Sequence, residues 1–303
     1  MLKARLLAPA LAAISWVACA PAPDEHASHA ADAAPQAAAA TPAPFDYPAV
    51  EALPPGADRA QAAIDRSPRH GEWVDVASPG GPSIKTWVVY PERSDKAPVI
   101  LVIHTIGGLA PWARALADQL AEDGYIAVAP DFLSGLGPNG GGTDAFASAD
   151  EARKAMGAVT PAAAAATLDR VRAYALTIPA ANGRIATMGF CWGGSRSFEY
   201  AVHQPALNAA VVFYGTAPDT YAAYDRIRAP ILGLYGGDDA RVNATIEPAA
   251  AELKTRGKAF EYEIYPGAGH GFVGSQTDRA GANFRATQAA WPRALAFLRQ
   301  HLD

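Results

Sequence analysis

The sequence predicts an α/β fold: a mostly parallel sheet with an N-terminal β-hairpin and helices on both faces. Three observations carry this. Strand-like and helix-like segments alternate from about Gly71 to the C-terminus, the pattern that builds β-α-β units. Several strand segments are unbroken apolar runs, such as Val99-Ile100-Leu101-Val102-Ile103, which suit strands buried on both faces. The chain has 303 residues, half of them hydrophobic, enough for one sizeable core.

Taken in order, the expected strands are Glu72–Ala77, Ile84–Tyr90, Val99–His104, Ile126–Pro130, Arg184–Phe190, Ala209–Tyr214, Ile231–Tyr235 and Phe260–Tyr265. A Gly/Pro/Ser turn between the first two makes them a hairpin. Helical patterns lie at Pro111–Glu122, Pro161–Ala175, Gly193–His203, Ile246–Arg256 and Ala286–His301. In a sheet of this kind ligands bind at the carboxyl ends of the strands, so chemistry is sought in the residues that follow them.

Ahead of this domain, assigned to 59–303, the chain reads differently. Lys3 and Arg5 precede an apolar run from Leu6 to Val17, too short for a membrane span of ~20 residues and suited to an export signal over 1–19. Trp16-Val17-Ala18-Cys19 also resembles a lipoprotein signal, with Cys19 as the lipid-bearing residue and a membrane tether as the consequence. Plain secretion with Cys19 discarded is the alternative. Residues 20–58 are rich in Ala and Pro and are expected to be a disordered linker. The expected location is therefore the periplasm, free or membrane-anchored.

The formal net charge of −5 comes without any Lys/Arg run, so a nucleic-acid partner is excluded. Gly135 to Gly142 is Gly-rich but lacks a following Gly-Lys-Ser/Thr, so it is a loop rather than a phosphate cradle. No HExxH or paired-cysteine pattern occurs, and His26 and His29 read as solvated linker residues, so no metal site is expected. A monomer or homodimer is expected.

Of two cysteines, Cys19 lies in the export signal and Cys191 is alone in the domain, which rules out an intramolecular disulfide there. Cys191 sits in Gly189-Phe190-Cys191-Trp192-Gly193-Gly194, after a strand and before a helix. This matches the nucleophile elbow G-x-S-x-G with Cys for Ser, where small residues permit a sharp turn and the helix N-terminus favours a thiolate. Without that context a lone Cys reads as a buried packing residue. The elbow demands an acid and then a histidine, each after a later strand. Asp238 and Asp239 follow Ile231–Tyr235, with Asp238 the weaker candidate, and His270 follows Phe260–Tyr265. Alone, His270 is a loop histidine. In third place after the elbow and the acid it is the general base. Oxyanion donors are expected at the N–H of Trp192 and of Ile106, the latter in His104-Thr105-Ile106-Gly107-Gly108. Tyr214, Phe272 and Trp192 are candidate pocket walls, although core packing is the ordinary role of an aromatic residue.

These segments, with Tyr125 to Asp131 and Gly267-Ala268-Gly269-His270-Gly271-Phe272, resemble the dienelactone hydrolase (carboxymethylenebutenolidase-like) family from about Glu72 onward. The resemblance implies an α/β-hydrolase fold, no cofactor, and hydrolysis of small lactones or esters. It also implies a triad of Cys191, Asp239 and His270, because the family's acid is the last residue of Gly-Gly-x-Asp. Two positions depart from the family pattern. Thr105 stands where a Glu contacts the cysteine thiol, and Gly274 stands where dienelactone-specific members carry an Arg. Loss of both partners is coherent, since losing one would strand a charge. Arg241, Arg153 and Arg196 are candidate replacements for a cation that meets the substrate. Acyl transfer through the same thioester, or a catalytically weak anchored binding protein, are the competing functions.

Overall fold

The computed structural model describes residues 46–50 and 52–303. The expected export signal, Cys19 and most of the linker lie outside them. Eight strands form one sheet: β1 (Gly71–Val76), β2 (Ile84–Val89), β3 (Ala97–Ile103), β4 (Ile126–Pro130), β5 (Ala181–Phe190), β6 (Ala209–Phe213), β7 (Ile231–Gly236) and β8 (Phe260–Tyr265). Their order is β1-β2-β4-β3-β5-β6-β7-β8. β2 is antiparallel to β1 and β4, and every other pairing is parallel. The mostly parallel sheet and its N-terminal hairpin are as the sequence predicts.

The central strands β3, β4, β6 and β7 are buried along their whole length. Alternate residues supply the two cores. Val99, Leu101 and Ile103 face one layer, while Ile100 and Val102 face the other. Each such aliphatic side chain contributes roughly 1.5–3 kcal/mol when fully buried. The edge strand β8 is half exposed, and Glu261 and Glu263 on it pair with Arg293.

The main helices are α1 (Ala60–Arg66), α2 (Pro111–Glu122), α3 (Ala149–Met156), α4 (Pro161–Ala175), α5 (Trp192–His203), α6 (Ala240–Asn243), α7 (Ile246–Thr255) and α8 (Ala282–Leu302). Leu116 and Leu120 of α2 pack with Trp291 and Leu298 of α8 on one face. Met156, Leu168, Phe198 and Leu253 from α3, α4, α5 and α7 fill the other. Proline begins α2 and α4, where its missing N–H has no partner to lose.

Three helices were not expected: α1, α3 and α6. The signal for α3 is nonetheless present in Ser148-Asp-Glu-style spacing. The Ser148 hydroxyl accepts the Glu151 N–H at 3.2 Å, and the Glu151 carboxylate accepts the Ala147 N–H at 3.2 Å, close to a capping box. α8 starts four residues before the expected Ala286 and runs on through Pro292.

The linker expected to continue to residue 58 is corrected at its end. Tyr47 and Leu53 are buried. Tyr47 donates to Asp58 at 2.9 Å and lies under the Arg59 guanidinium at 3.9 Å. The Pro54 carbonyl accepts from Gln276 and the Pro55 carbonyl from Trp112, at 2.9 and 3.1 Å. The Ala57 N–H donates to Gly274 at 2.8 Å. An Ala/Pro-rich composition does not reveal two large apolar anchors and carbonyls that find donors.

Candidate active site

The parallel strands β3, β5, β7 and β8 bring their carboxyl ends to one edge of the sheet, and each delivers one piece of the site. At the end of β5, Cys191 adopts φ 58° and ψ −114°. This left-handed backbone is costly for a residue with a Cβ, and three neighbouring glycines make it possible. A Cβ on Gly189 would lie 1.9 Å from the Gly193 carbonyl oxygen. One on Gly193 would lie 2.1 Å from that of Ile103, and one on Gly194 2.5 Å from that of Phe213. The elbow therefore seats α5 directly against the ends of β3 and β6. The Cys191 N–H is fixed by the Phe213 carbonyl at 3.0 Å.

Asp239 caps α6 just after β7 and is only 7% exposed. Asn243 holds that turn from behind, donating to the Gly236 carbonyl at 2.9 Å. His270 follows β8. Its loop is held by the buried Asn283 of α8, which accepts the Gly269 N–H at 2.9 Å. These supports bring together three residues far apart in sequence. His270 Nδ1 lies 2.6 Å from Asp239 Oδ2, and His270 Nε2 lies 3.0 Å from Cys191 Sγ. Asp238 points elsewhere and pairs with Arg279 at 2.5 Å.

The electrostatics follow from these contacts. Burial pushes the Cys191 thiol up. The hydrogen bond and charge of His270, with the N–H groups of Trp192 and Ile106, outweigh it, and the thiol falls below its ordinary value. His270 moves the other way. Its contact with Cys191 raises it, burial opposes, and Asp239 adds to the rise. The pair thus favours thiolate and imidazolium.

The backbone N–H groups of Ile106, in the loop after β3, and of Trp192, at the start of α5, lie close enough to the sulfur to lower the thiol. Tyr214 and Phe272 are fully buried, with ring centroids 5.2 Å apart. Tyr214 also packs edge-on against His270 at 5.3 Å and carries φ 41°. Its hydroxyl has no partner among the described residues. Phe272 backs Tyr214 from the core and shows no surface to solvent. Arg241 is exposed on α6. Arg153 pairs with Asp150 at 2.6 Å, and Arg196 pairs with Glu199 at 2.7 Å while lying 5.3 Å from the Trp192 ring centroid. Thr105 turns its hydroxyl onto its own loop, accepting the Gly107 N–H at 3.2 Å.

Asn243 and Asn283 went unremarked in the sequence.

A parallel sheet with this strand order and a nucleophile elbow after β5 defines an α/β-hydrolase. The chain belongs to the dienelactone hydrolase family, whose profile matches residues 84–302, and it is a carboxylic ester hydrolase. It is 31% identical over 234 residues to a protein assigned as a carboxymethylenebutenolidase in Salmonella typhimurium, covering 73% of this chain and 84% of that one. A protein with the same assignment in Saccharolobus solfataricus is 29% identical over 250 residues, covering 73% and 95%. Among solved structures, one assigned as a dienelactone hydrolase from Klebsiella pneumoniae superposes with a TM-score of 0.67 at 28% identity, covering 77% of this chain and 99% of that one.

Proposed function

We propose that this chain hydrolyses neutral carboxylic esters and lactones through a Cys191–Asp239–His270 triad and a thioester intermediate. The observation that carries the reading is the unbroken contact from Asp239 through His270 to Cys191 Sγ, at 2.6 and 3.0 Å. His270 Nε2 holds the proton taken from Cys191, and the thiolate attacks the carbonyl carbon. The oxyanion so formed is met by the N–H groups of Ile106 and Trp192. Collapse breaks the ester C–O bond, and the leaving alkoxide takes the proton from His270. Water then attacks the thioester with His270 as base, releasing the acid and restoring the thiolate. Asp239 fixes the imidazole tautomer throughout.

The substrate class follows from what surrounds the triad. With Thr105 and Gly274 in place of the family's Glu and Arg, His270 is the side chain that activates the thiol, alongside the N–H groups of Trp192 and Ile106. No cation replaces the Arg among the described residues that contact Cys191 or His270. A substrate carboxylate therefore gains nothing here, and neutral acyl groups are favoured over dienelactone. The activity is placed outside the cytoplasm on the residue 1–19 pattern, which fractionation of the full-length protein would test.

The deciding experiment is a panel of short aryl esters, simple lactones and dienelactone, run on the wild type and Cys191→Ala. Wild-type turnover of neutral esters that disappears in the variant is the expected result. Retained hydrolysis by Cys191→Ala overturns the nucleophile, and a preference for dienelactone overturns the substrate class.

A further inference from the structure

We infer that His104 is a positioning residue that sets the direction of the Ile106 N–H by locking the Thr105–Ile106 peptide plane. The inference rests on the reading of Cys191 as nucleophile, which gives that N–H its task.

His104 stands at the end of β3 with no exposed surface. Its two ring nitrogens have different partners. The Phe132 N–H donates to Nε2 at 3.2 Å, so Nε2 must carry a lone pair. The proton is then on Nδ1, which donates to the Thr105 carbonyl at 2.8 Å. The Gly108 N–H donates to the same carbonyl at 3.1 Å. Asp131 stays 3.9 Å from Nε2 and makes no hydrogen bond to it. Burial lowers the imidazole's affinity for a second proton, in keeping with a neutral ring.

The Thr105 carbonyl and the Ile106 N–H belong to one planar trans peptide, so they point in opposite directions. Two donors holding the carbonyl on the His104 side leave the N–H facing the sulfur of Cys191. Without them the plane can turn about its flanking φ and ψ, in a Gly-rich loop that offers little resistance. The same ring lies nearly parallel to Trp192, with centroids 6.1 Å apart and planes 19° apart. Trp192 supplies the other oxyanion donor. One neutral imidazole thus holds the peptide that carries one oxyanion donor and stacks on the side chain of the residue that carries the other.

The test compares His104→Asn, His104→Gln and His104→Phe in the full chain. An Asn amide nitrogen replaces Nδ1 and preserves the donor to Thr105. Gln places its amide near Nε2, and Phe removes both groups. The expected result is near-native kcat for His104→Asn and a fall of about 100-fold for the other two, the cost of one oxyanion donor. KM for a neutral aryl ester should move less than about threefold, because the donor acts on the transition state. Affinity for a simple peptide or alkyl aldehyde, which forms a tetrahedral adduct on the thiol, should fall in parallel with kcat. The pH profile of Cys191 alkylation should shift upward in Gln and Phe variants, since the thiolate also loses that N–H. The inference is overturned if folded Gln or Phe variants keep native kcat and aldehyde affinity, or if His104→Asn falls as far as His104→Gln. The alkylation shift is read without ester turnover, so it separates failure of this inference from failure of the nucleophile assignment.

Discussion

Asp239 Oδ2 accepts from His270 Nδ1 at 2.6 Å, and the carboxylate is 7% exposed while the imidazole is 34% exposed. The orienting group is thus buried and the proton-transferring group is reachable. Asp239→Asn keeps the shape but can donate to Nδ1, which moves the imidazole proton to Nε2 and blocks its role as base. The expected outcome is a loss of kcat of about 10³–10⁴-fold with little change in KM, measured on a neutral aryl ester.

Cys191 should react with iodoacetamide well below the ordinary thiol value of 9.0, because its titration is displaced downward. The displacement shrinks in His270→Ala. There the largest contact that lowers the thiol is gone while burial and the Trp192 and Ile106 N–H groups remain, so the alkylation profile moves upward from the wild type. A variant profile that overlays the wild type would show that His270 does not govern the thiol.

The glycines of the elbow leave no room for a side chain, whereas Gly183 near the start of β5 stands in open space. In Gly193→Ala the new methyl would sit 2.1 Å from the Ile103 oxygen, against backbone that cannot yield. A loss of more than about 4 kcal/mol is expected, seen as a collapse of Tm or of soluble yield. Gly183→Ala is the control. It has φ +88° with nothing within 4 Å, so only the left-handed backbone costs, roughly 1–2 kcal/mol.

Asp123 accepts the Trp291 indole N–H at 3.0 Å, and burial raises its carboxyl to about 6. A raised folded-state value means that the native protein holds this proton more tightly than the unfolded chain. The stabilisation is full below the unfolded value of 3.8 and is lost as pH rises through about 6. Asp123→Asn should remove that slope between pH 4 and 6. It should raise stability at pH 7 by on the order of 3 kcal/mol, measured by urea denaturation across the range.

The inner strands were legible because parallel strands covered on both sides must be written as apolar runs, as in β3 and β6. β8 was legible for a different reason. Its Phe260-Glu-Tyr-Glu alternation is that of a half-exposed edge. The order of the site was legible too, since Cys191, Asp239 and His270 each follow a strand of the parallel set. What stayed hidden depends on partners distant in sequence. Nothing near Asn283 says that its amide reaches Gly269, and nothing near His104 says which of its nitrogens holds the proton. Tyr47 and Leu53 are two apolar residues in a stretch whose composition argues for no packing at all. Their partners lie far along the chain, as with Gln276 and Gly274.

That N-terminal strap has a mechanical consequence. Pro54 and Ala57 bond to Gln276 and Gly274, in the loop that continues directly from His270. Whatever the chain is attached to upstream, a pull on it arrives within a few residues of the base rather than at an inert end. Cutting the chain at residue 59, where composition alone would draw the boundary, removes these bonds to the loop that carries the base and leaves its Asn283 anchor in place.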